Sequence, residues 1–293
     1  MRFFLFRINN LILFINKLFP SFYRPTSFPY VSGDTFRKMA NFVLEERKSF
    51  KTSDVKTNDI IFVDGDLIET FFEKFHNRIS QKYILITHNS TKTIDQEFEK
   101  LIDNKIIHWF AENLTIRNNK KFSALPLGLE NKKYLKNGET NSYKRVSIKK
   151  DKLVLCSFAT QTNKEERQGL YDIALENKNI DIDIFDNHKE YIENLSKYKF
   201  NLCPSGAGLD THRFWESLMV MTIPIVKSNY LIENLVSHNF PILVVEDWSD
   251  LSHFDTNFYN TFYSEKEKKF KNASYKDFNY WKDMILSKKL ESK

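Results

Sequence analysis

The segment from Tyr198 to Val226 constrains the fold more than any other part of the sequence. Its apolar residues 198–203 predict a strand, and a loop with Gly206 and Gly208 follows. A helix is expected to begin near Asp210, and a further apolar run predicts another strand. Short apolar strands joined through a helix are typical of a parallel sheet that is covered on both faces. The segment therefore predicts an α/β architecture.

The loop and the start of this helix predict a site for an anion. Glycines let the backbone approach a ligand closely, and a helix N-terminus offers unpaired N–H groups and a partial positive charge. Arg213 falls in the first turn and can present a planar pair of donors to phosphate oxygens. Glu216, three residues later, can accept hydrogen bonds from ribose hydroxyls. These residues predict a site for a nucleoside diphosphate that carries a sugar, and an ordinary surface ion pair is the alternative.

Apolar runs of strand length recur on both sides of a polar stretch at residues 130–150, with helical patterns between them. The runs cover residues 59–63, 83–87, 105–110 and 122–127 in the first half, and 153–158, 180–185, 198–203, 223–226 and 241–245 in the second. We therefore expect two Rossmann-like domains facing a central cleft, with the ligand at the carboxyl ends of the strands. The predicted parts are residues 1–28, 29–135, 151–262 and a helical tail over 263–293.

Residues 1–28 are apolar and basic, and no acidic residue precedes Asp34. The longest uninterrupted apolar run there, residues 11–15, is far shorter than the roughly 20 residues that span a bilayer. An apolar, basic segment of this kind can lie in an anionic membrane interface. We therefore expect a peripheral protein on the inner face of the cytoplasmic membrane. The alternatives are an anchor formed by this segment, or packing of the segment on the protein core.

The composition narrows the class of partner. The chain has 293 residues and a net charge of +6, which favours anionic partners. No zinc-finger spacing and no basic helix with a base-reading pattern is present, so nucleic acid is not an expected partner. The two cysteines, Cys156 and Cys203, both end apolar runs and are expected to be reduced and buried, as in a cytosolic protein.

The run Leu202-Cys-Pro-Ser-Gly-Ala-Gly-Leu-Asp-Thr-His-Arg-Phe-Trp-Glu216, followed by Ile223-Pro-Ile-Val226, resembles the exostosin family, which is glycosyltransferase family 47 with its bacterial relatives. Residues 153–158, with Arg167 nine residues further on, resemble the start of the same family's donor domain. The resemblance covers about residues 150–250. It implies a GT-B glycosyltransferase that uses a nucleotide sugar and, as is usual in this family, inverts the anomeric centre. Ser205 departs from the pattern, because family members often carry a basic residue there.

The resemblance also implies a set of donor-binding residues and a class of reaction. The sugar, a hexose or a pentose, would pass from the nucleotide to a glycan or lipid-linked acceptor without a metal ion. A fucosyltransferase-like GT-B enzyme and a non-catalytic glycan-binding protein are the alternatives. The implied donor-binding residues are Ser157, Thr160, Arg167, Gly206, Gly208, Asp210, Thr211, His212, Arg213 and Glu216.

Three positions in the first half are candidates for the base that removes the acceptor's proton. His88 ends a predicted strand, and histidine is the usual base near neutral pH. The alternative for His88 is a strand-terminal residue that bonds the backbone. The run Asp64-Gly-Asp66, with Asp66 and also Asp64 as candidates, is the rival of His88 at the end of the neighbouring strand. This run also resembles the Asp-x-Asp metal site of GT-A glycosyltransferases, although it equally suits a turn and a helix cap. We expect no metal there.

Overall fold

The computed structural model describes residues 7, 8, 10, 11, 14, 15, 23–146, 148–272 and 274–291. The chain divides into two units, one formed by residues up to Gly138 together with those from Asp277 onward, and the other by Glu139–Lys276. More than half of the segment predicted to lie on a membrane is outside the described residues. Within the part of the chain that is described, no helix is both long enough and apolar enough to cross a bilayer.

The first unit contains five parallel strands in sequence order. Its strands are β1 (Phe42–Leu44), β2 (Asp59–Asp64), β3 (Tyr83–His88), β4 (Ile106–Ala111) and β5 (Phe122–Ala124), and its helices include α1 (Gly33–Met39), α2 (Ile68–Lys74) and α3 (Gln96–Glu99). Strands β2 and β3 are buried along nearly their whole length, which explains their uninterrupted apolar sequence. Their register pairs Asp64 with His88 at the carboxyl edge of the sheet.

The second unit contains a second parallel sheet, in the order β10-β9-β8-β6-β7. Its strands are β6 (Lys152–Cys156), β7 (Ile180–Ile182), β8 (Tyr198–Leu202), β9 (Ile223–Lys227) and β10 (Leu243–Val245). Its helices are α4 (Ser142–Arg145), α5 (Lys164–Glu176), α6 (His188–Leu195), α7 (His212–Met219), α8 (Tyr230–Ser237) and α9 (Thr256–Lys266). The chain runs from β6 to β7 and then crosses to β8 on the other side of β6. The strand order therefore reverses between β6 and β8, and ligands bind at such a point in open α/β sheets.

These two sheets confirm the predicted α/β class, and most predicted elements lie where they were expected. Several are shorter than predicted: the helix expected over 67–79 is α2 followed by a separate 3₁₀ turn at His76–Arg78, and the strand expected over 180–185 ends at Ile182. The side chain of Ile184 is 81% exposed, so this apolar residue does not extend the strand. Helices α1, α4 and α8 and strand β1 were not predicted at all.

The last residue of the polar stretch at residues 130–150 is fixed by hydrogen bonds. Lys150 donates hydrogen bonds from Nζ to the carbonyls of Tyr198 (2.8 Å) and Val220 (2.8 Å) and to Thr222 Oγ1 (2.7 Å). Lys150 therefore belongs to the second unit, whose predicted beginning was residue 151.

The last helix, α10 (Phe278–Glu291), belongs to the first unit although it follows all of the second in sequence. The backbone N–H of Phe278 donates to the carbonyl of Pro29 (2.7 Å), and the rings of Phe36 and Phe278 lie 5.4 Å apart. Trp281 and Ile285 are buried on the same helix. Helix α10 is thus part of the hydrophobic core of the first unit.

Candidate functional site

The carboxyl ends of β6 and β8 define the candidate site in the second unit. The two strands are paired, with Leu155 opposite Asn201, so the loops that follow them lie side by side. Helix α7 begins at His212, after the loop that follows β8. Its first N–H groups therefore lie at the point where the strand order reverses, as in sites that bind phosphates.

Arg213 connects α7 to the loop after β6. Its Nε donates to the carbonyl of Ser157 (2.8 Å), and its guanidinium carbon lies 6.0 Å from the centroid of the Phe158 ring. Among the described residues, neither terminal nitrogen of this guanidinium has a hydrogen-bond partner in the protein. The side chain is half-buried, so the fork is held in one direction and is open to a ligand. A guanidinium in this state suits an oxyanion.

Arg167 is also expected at the donor phosphates, but its guanidinium binds the protein. It donates to three carbonyls, from Nε to Ser205 (2.8 Å), from Nη1 to Ala159 (2.8 Å) and from Nη2 to Pro204 (3.3 Å). Burial and the nearby charge of Arg213 lower the pKa of Arg167 to about 10, which leaves it charged at neutral pH. Arg167 therefore ties the loop after β8 to the loop after β6, and a direct contact with phosphate stays a prediction.

Gly206 packs closely against the guanidinium of Arg167. A Cβ on Gly206 would lie 3.1 Å from Nη2 of Arg167, closer than most side-chain contacts. The N–H of Gly206 donates to the carbonyl of Gly208 (3.0 Å), which closes the loop. Gly206, one of the two glycines predicted to admit a ligand, therefore also lies close to the buried guanidinium of Arg167.

The residues at the start of α7 shape the helix end. Asp210 is buried and accepts a hydrogen bond from Trp215 Nε1 at Oδ2 (2.7 Å) and from the N–H of Thr211 at Oδ1 (2.7 Å). Thr211 is the N-cap residue, yet its side chain makes no capping hydrogen bond. Both oxygens of the Asp210 carboxylate thus accept hydrogen bonds from the protein. His212 and Thr160 are half-buried at the same edge of the sheet.

Glu216 lies one turn after Arg213 and is buried. Its Oε1 is 2.9 Å from Nε2 of His188, the first residue of α6. Burial alone would raise the pKa of Glu216, but the hydrogen bond and charge of His188, with the charges of His212 and Arg213, lower it. Glu216 is therefore ionised at neutral pH. Sequence analysis missed His188 as a partner, because the two residues are far apart in the chain.

The candidate base His88 is enclosed in the first unit. Its side chain is fully buried, Nε2 donates to the carbonyl of Pro126 (2.9 Å), and Nδ1 lies 3.0 Å from Oε2 of Glu112. Burial disfavours the charged ring, but the Glu112 carboxylate outweighs this effect and raises the pKa of His88. Neither ring nitrogen is open to an acceptor in this arrangement. The geometry favours a structural role for His88, and its catalytic role stays a prediction.

The Asp-Gly-Asp run forms a turn at the carboxyl end of β2. Asp64 accepts a hydrogen bond from the N–H of Asp66 (3.2 Å), and the exposed carboxylate of Asp66 accepts one from the hydroxyl of Ser90. No group of three His, Cys, Asp or Glu side chains suited to a metal ion occurs among the residues that are described. Asp64 is the N-cap residue of the 3₁₀ turn Gly65–Leu67, which gives the helix-capping interpretation of this run direct geometric support.

The negative charge of the Asp64 carboxylate is unfavourable for folding. Burial, with the neighbouring charge of Asp66, raises its pKa to about 6 from an ordinary value of 3.8. A carboxyl group whose pKa is raised in the folded state favours folding when it is protonated, and this contribution is lost as the pH rises through 6. Perturbed carboxyl groups of this kind are common at functional sites.

We expect Asp64→Asn to stabilise the protein at pH 8, by up to about 3 kcal/mol, and to have little effect near pH 4. The amide removes the buried charge but can still accept the hydrogen bond from Asp66. Urea unfolding at the two pH values measures the difference, and Asp54→Asn, at an exposed position, is the control. Equal effects at both pH values would show that the charge of Asp64 costs no stability.

No protein-family model and no curated protein matches the sequence. Among solved structures, the fold resembles OtsA in its apo form, with 10% identity and a TM-score of 0.50 over 80% of this chain and 73% of OtsA. An α,α-trehalose-phosphate synthase (UDP-forming) from Burkholderia vietnamiensis has 7% identity and a TM-score of 0.49, over 82% and 73%. S. aureus TarM, in a mutant complex with Fondaparinux, α-GlcNAc-glycerol and UDP, has 11% identity and a TM-score of 0.45, over 79% and 54%.

The likeness to OtsA, together with the two parallel five-stranded sheets, establishes the fold class as GT-B. At 10% identity the likeness concerns the fold alone. Membership of the exostosin family in particular stays a prediction. Because folds host many functions, the chemistry has to be argued from the residues of the site.

Proposed function

We propose that this protein is a glycosyltransferase that binds a nucleotide-sugar donor in its second unit and transfers the sugar to a glycan or lipid-linked acceptor. The observation that carries the proposal is the open guanidinium fork of Arg213 at the N-terminus of α7. It lies where the strand order of the sheet reverses, and the ionised Glu216 follows one turn later. The GT-B fold supports the same function.

The site residues have separate tasks in this proposal. The fork of Arg213 and the first N–H groups of α7 bind the diphosphate, and Glu216 accepts hydrogen bonds from the ribose. During transfer, the bond between the sugar carbon and the diphosphate oxygen breaks, and a bond to the acceptor hydroxyl oxygen forms. The acceptor's proton passes to a base, and the diphosphate leaves with the bonding electron pair. Fixed donors such as Arg213 stabilise the charge that develops on the diphosphate.

The positive field at the diphosphate comes from the protein itself in this proposal. A guanidinium and a helix N-terminus together can do the work that a divalent cation does in other transferases. We therefore propose that transfer needs no metal ion, and that EDTA leaves the activity largely unchanged.

A panel of nucleotides and nucleotide sugars tests the proposal. We expect a nucleoside diphosphate to bind the purified protein, and one nucleotide sugar, with a hexose or a pentose, to be slowly hydrolysed or transferred in the presence of EDTA. Binding without turnover on any acceptor would favour a non-catalytic glycan-binding protein. Absence of nucleotide binding across the panel would refute the donor site, and loss of turnover that Mn²⁺ or Mg²⁺ restores would assign a metal to the reaction.

A further inference from the structure

The buried carboxylate of Glu216 has one partner on the protein and one open position. Oε1 is 2.9 Å from Nε2 of His188, whereas Oε2 has no hydrogen-bond partner among the described residues. A buried carboxylate is costly unless hydrogen bonds offset its lost hydration. His188 therefore helps to keep Glu216 ionised, and its hydrogen bond to Oε1 leaves Oε2 for a ligand.

The ring of His188 is fixed from several sides. His188 is the first residue of α6, and the side chain of the N-cap residue Asn187 accepts a hydrogen bond from the N–H of Glu190 (3.0 Å), which anchors the backbone. The ring lies 5.9 Å from that of Tyr143 and 6.3 Å from that of Tyr191, measured between centroids. A ring packed in this way keeps Nε2 directed at Glu216.

The other ring nitrogen, Nδ1, is buried and has no partner among the described residues. Burying an N–H group without a partner costs more free energy than burying a nitrogen lone pair without one, because the N–H group loses a full hydrogen bond to water. The proton of a neutral ring therefore belongs on Nε2, where it is donated to the carboxylate. Nε2 also lies 3.3 Å from the hydroxyl of Tyr143, a longer contact than the 2.9 Å to Oε1 of Glu216.

We propose that His188 is a positioning residue, which holds Glu216 so that Oε2 accepts hydrogen bonds from the ribose hydroxyls of the donor. This inference rests on the proposed nucleotide site. It follows that the site distinguishes a ribonucleotide from its 2′-deoxy counterpart, since a buried acceptor left without its hydroxyl loses a hydrogen bond to a charged group. His188 itself touches no part of the donor.

The test compares UDP and GDP with 2′-deoxy-UDP and 2′-deoxy-GDP by calorimetry. The protein is expected to bind one ribonucleotide about tenfold more tightly than its deoxy form. In His188→Leu, the ribonucleotide affinity should fall about tenfold while the deoxynucleotide affinity changes by less than about twofold. His188→Gln, whose amide N–H can replace Nε2–H, should keep the preference, and Lys189→Leu is the matched control at an exposed position of the same helix.

The outcomes separate the two proposals. If the wild-type protein binds none of the four nucleotides, the proposed function fails. If it binds ribonucleotide and deoxynucleotide equally, or if folded His188→Leu keeps the preference, the role of His188 is overturned while the nucleotide site stands. If His188→Leu does not fold, His188→Asn takes its place in the test, because its shorter amide does not reach Glu216. A retained preference for the ribonucleotide in His188→Asn overturns the inference.

Discussion

Arg213→Ala is expected to abolish sugar transfer while the second unit stays folded. The terminal nitrogens of Arg213 have no hydrogen-bond partner among the described residues, so removal of the side chain deprives the donor of a charge-assisted contact and leaves one carbonyl, that of Ser157, to water. The loss should cost about 2–4 kcal/mol of transition-state stabilisation, because a fixed donor at a developing charge contributes about that much. Turnover of the nucleotide sugar identified in the panel measures the effect.

Two further variants make this experiment specific. Arg213→Lys keeps the charge but loses the planar fork, and it should recover only part of the activity. Arg78→Ala removes an arginine from an exposed position in the first unit and should not change turnover. Near-normal turnover in a folded Arg213→Ala protein would mean that the donor diphosphate binds elsewhere.

Arg167→Met should have a large effect of a different kind, on stability. Methionine fills much of the space of the arginine stem but leaves the carbonyls of Ser205, Ala159 and Pro204 without their donor. Unsatisfied buried acceptors are expensive, so we expect the second unit to lose about 3 kcal/mol of unfolding free energy. Donor binding should weaken as well, because the loops after β6 and β8 are no longer tied together.

Hydrogen exchange at the amides of β6 and β8 locates this loss, and urea unfolding measures it. The comparison with Arg213→Ala is informative, since the guanidinium carbons of the two arginines lie 5.5 and 6.0 Å from the centroid of the same ring, that of Phe158. If Arg167→Met retains full stability but loses donor binding, Arg167 contacts phosphate directly, as the sequence resemblance implied.

The strands were the most predictable part of the fold. Residues 59–63 and 83–87 are almost continuously apolar, and a strand buried on both faces of a sheet requires that pattern. Boundaries were less predictable where an apolar side chain is exposed, as at Ile184. Helix α1 was missed because it has only seven residues, too few to show a clear period.

The site was predictable in position but only partly in detail. A glycine-containing loop before a helix identified the edge of the sheet where Arg213 lies. Spacing cannot show, however, whether a guanidinium is open or bound to carbonyls, which is what separates Arg213 from Arg167. Nor can it show that His188 approaches Glu216 or that burial raises the pKa of Asp64, because these depend on contacts between distant segments.

The position of α10 has a consequence for the order in which the protein is made. Domains usually fold during synthesis from the N-terminus onward. Here the second unit is one uninterrupted stretch, whereas the first lacks Trp281 and Ile285 until residues 278–291 have been translated. On the ribosome, the unit that begins first is therefore completed last. Its apolar face beneath α10 stays uncovered throughout the synthesis of the second unit, the interval in which a chaperone would be needed.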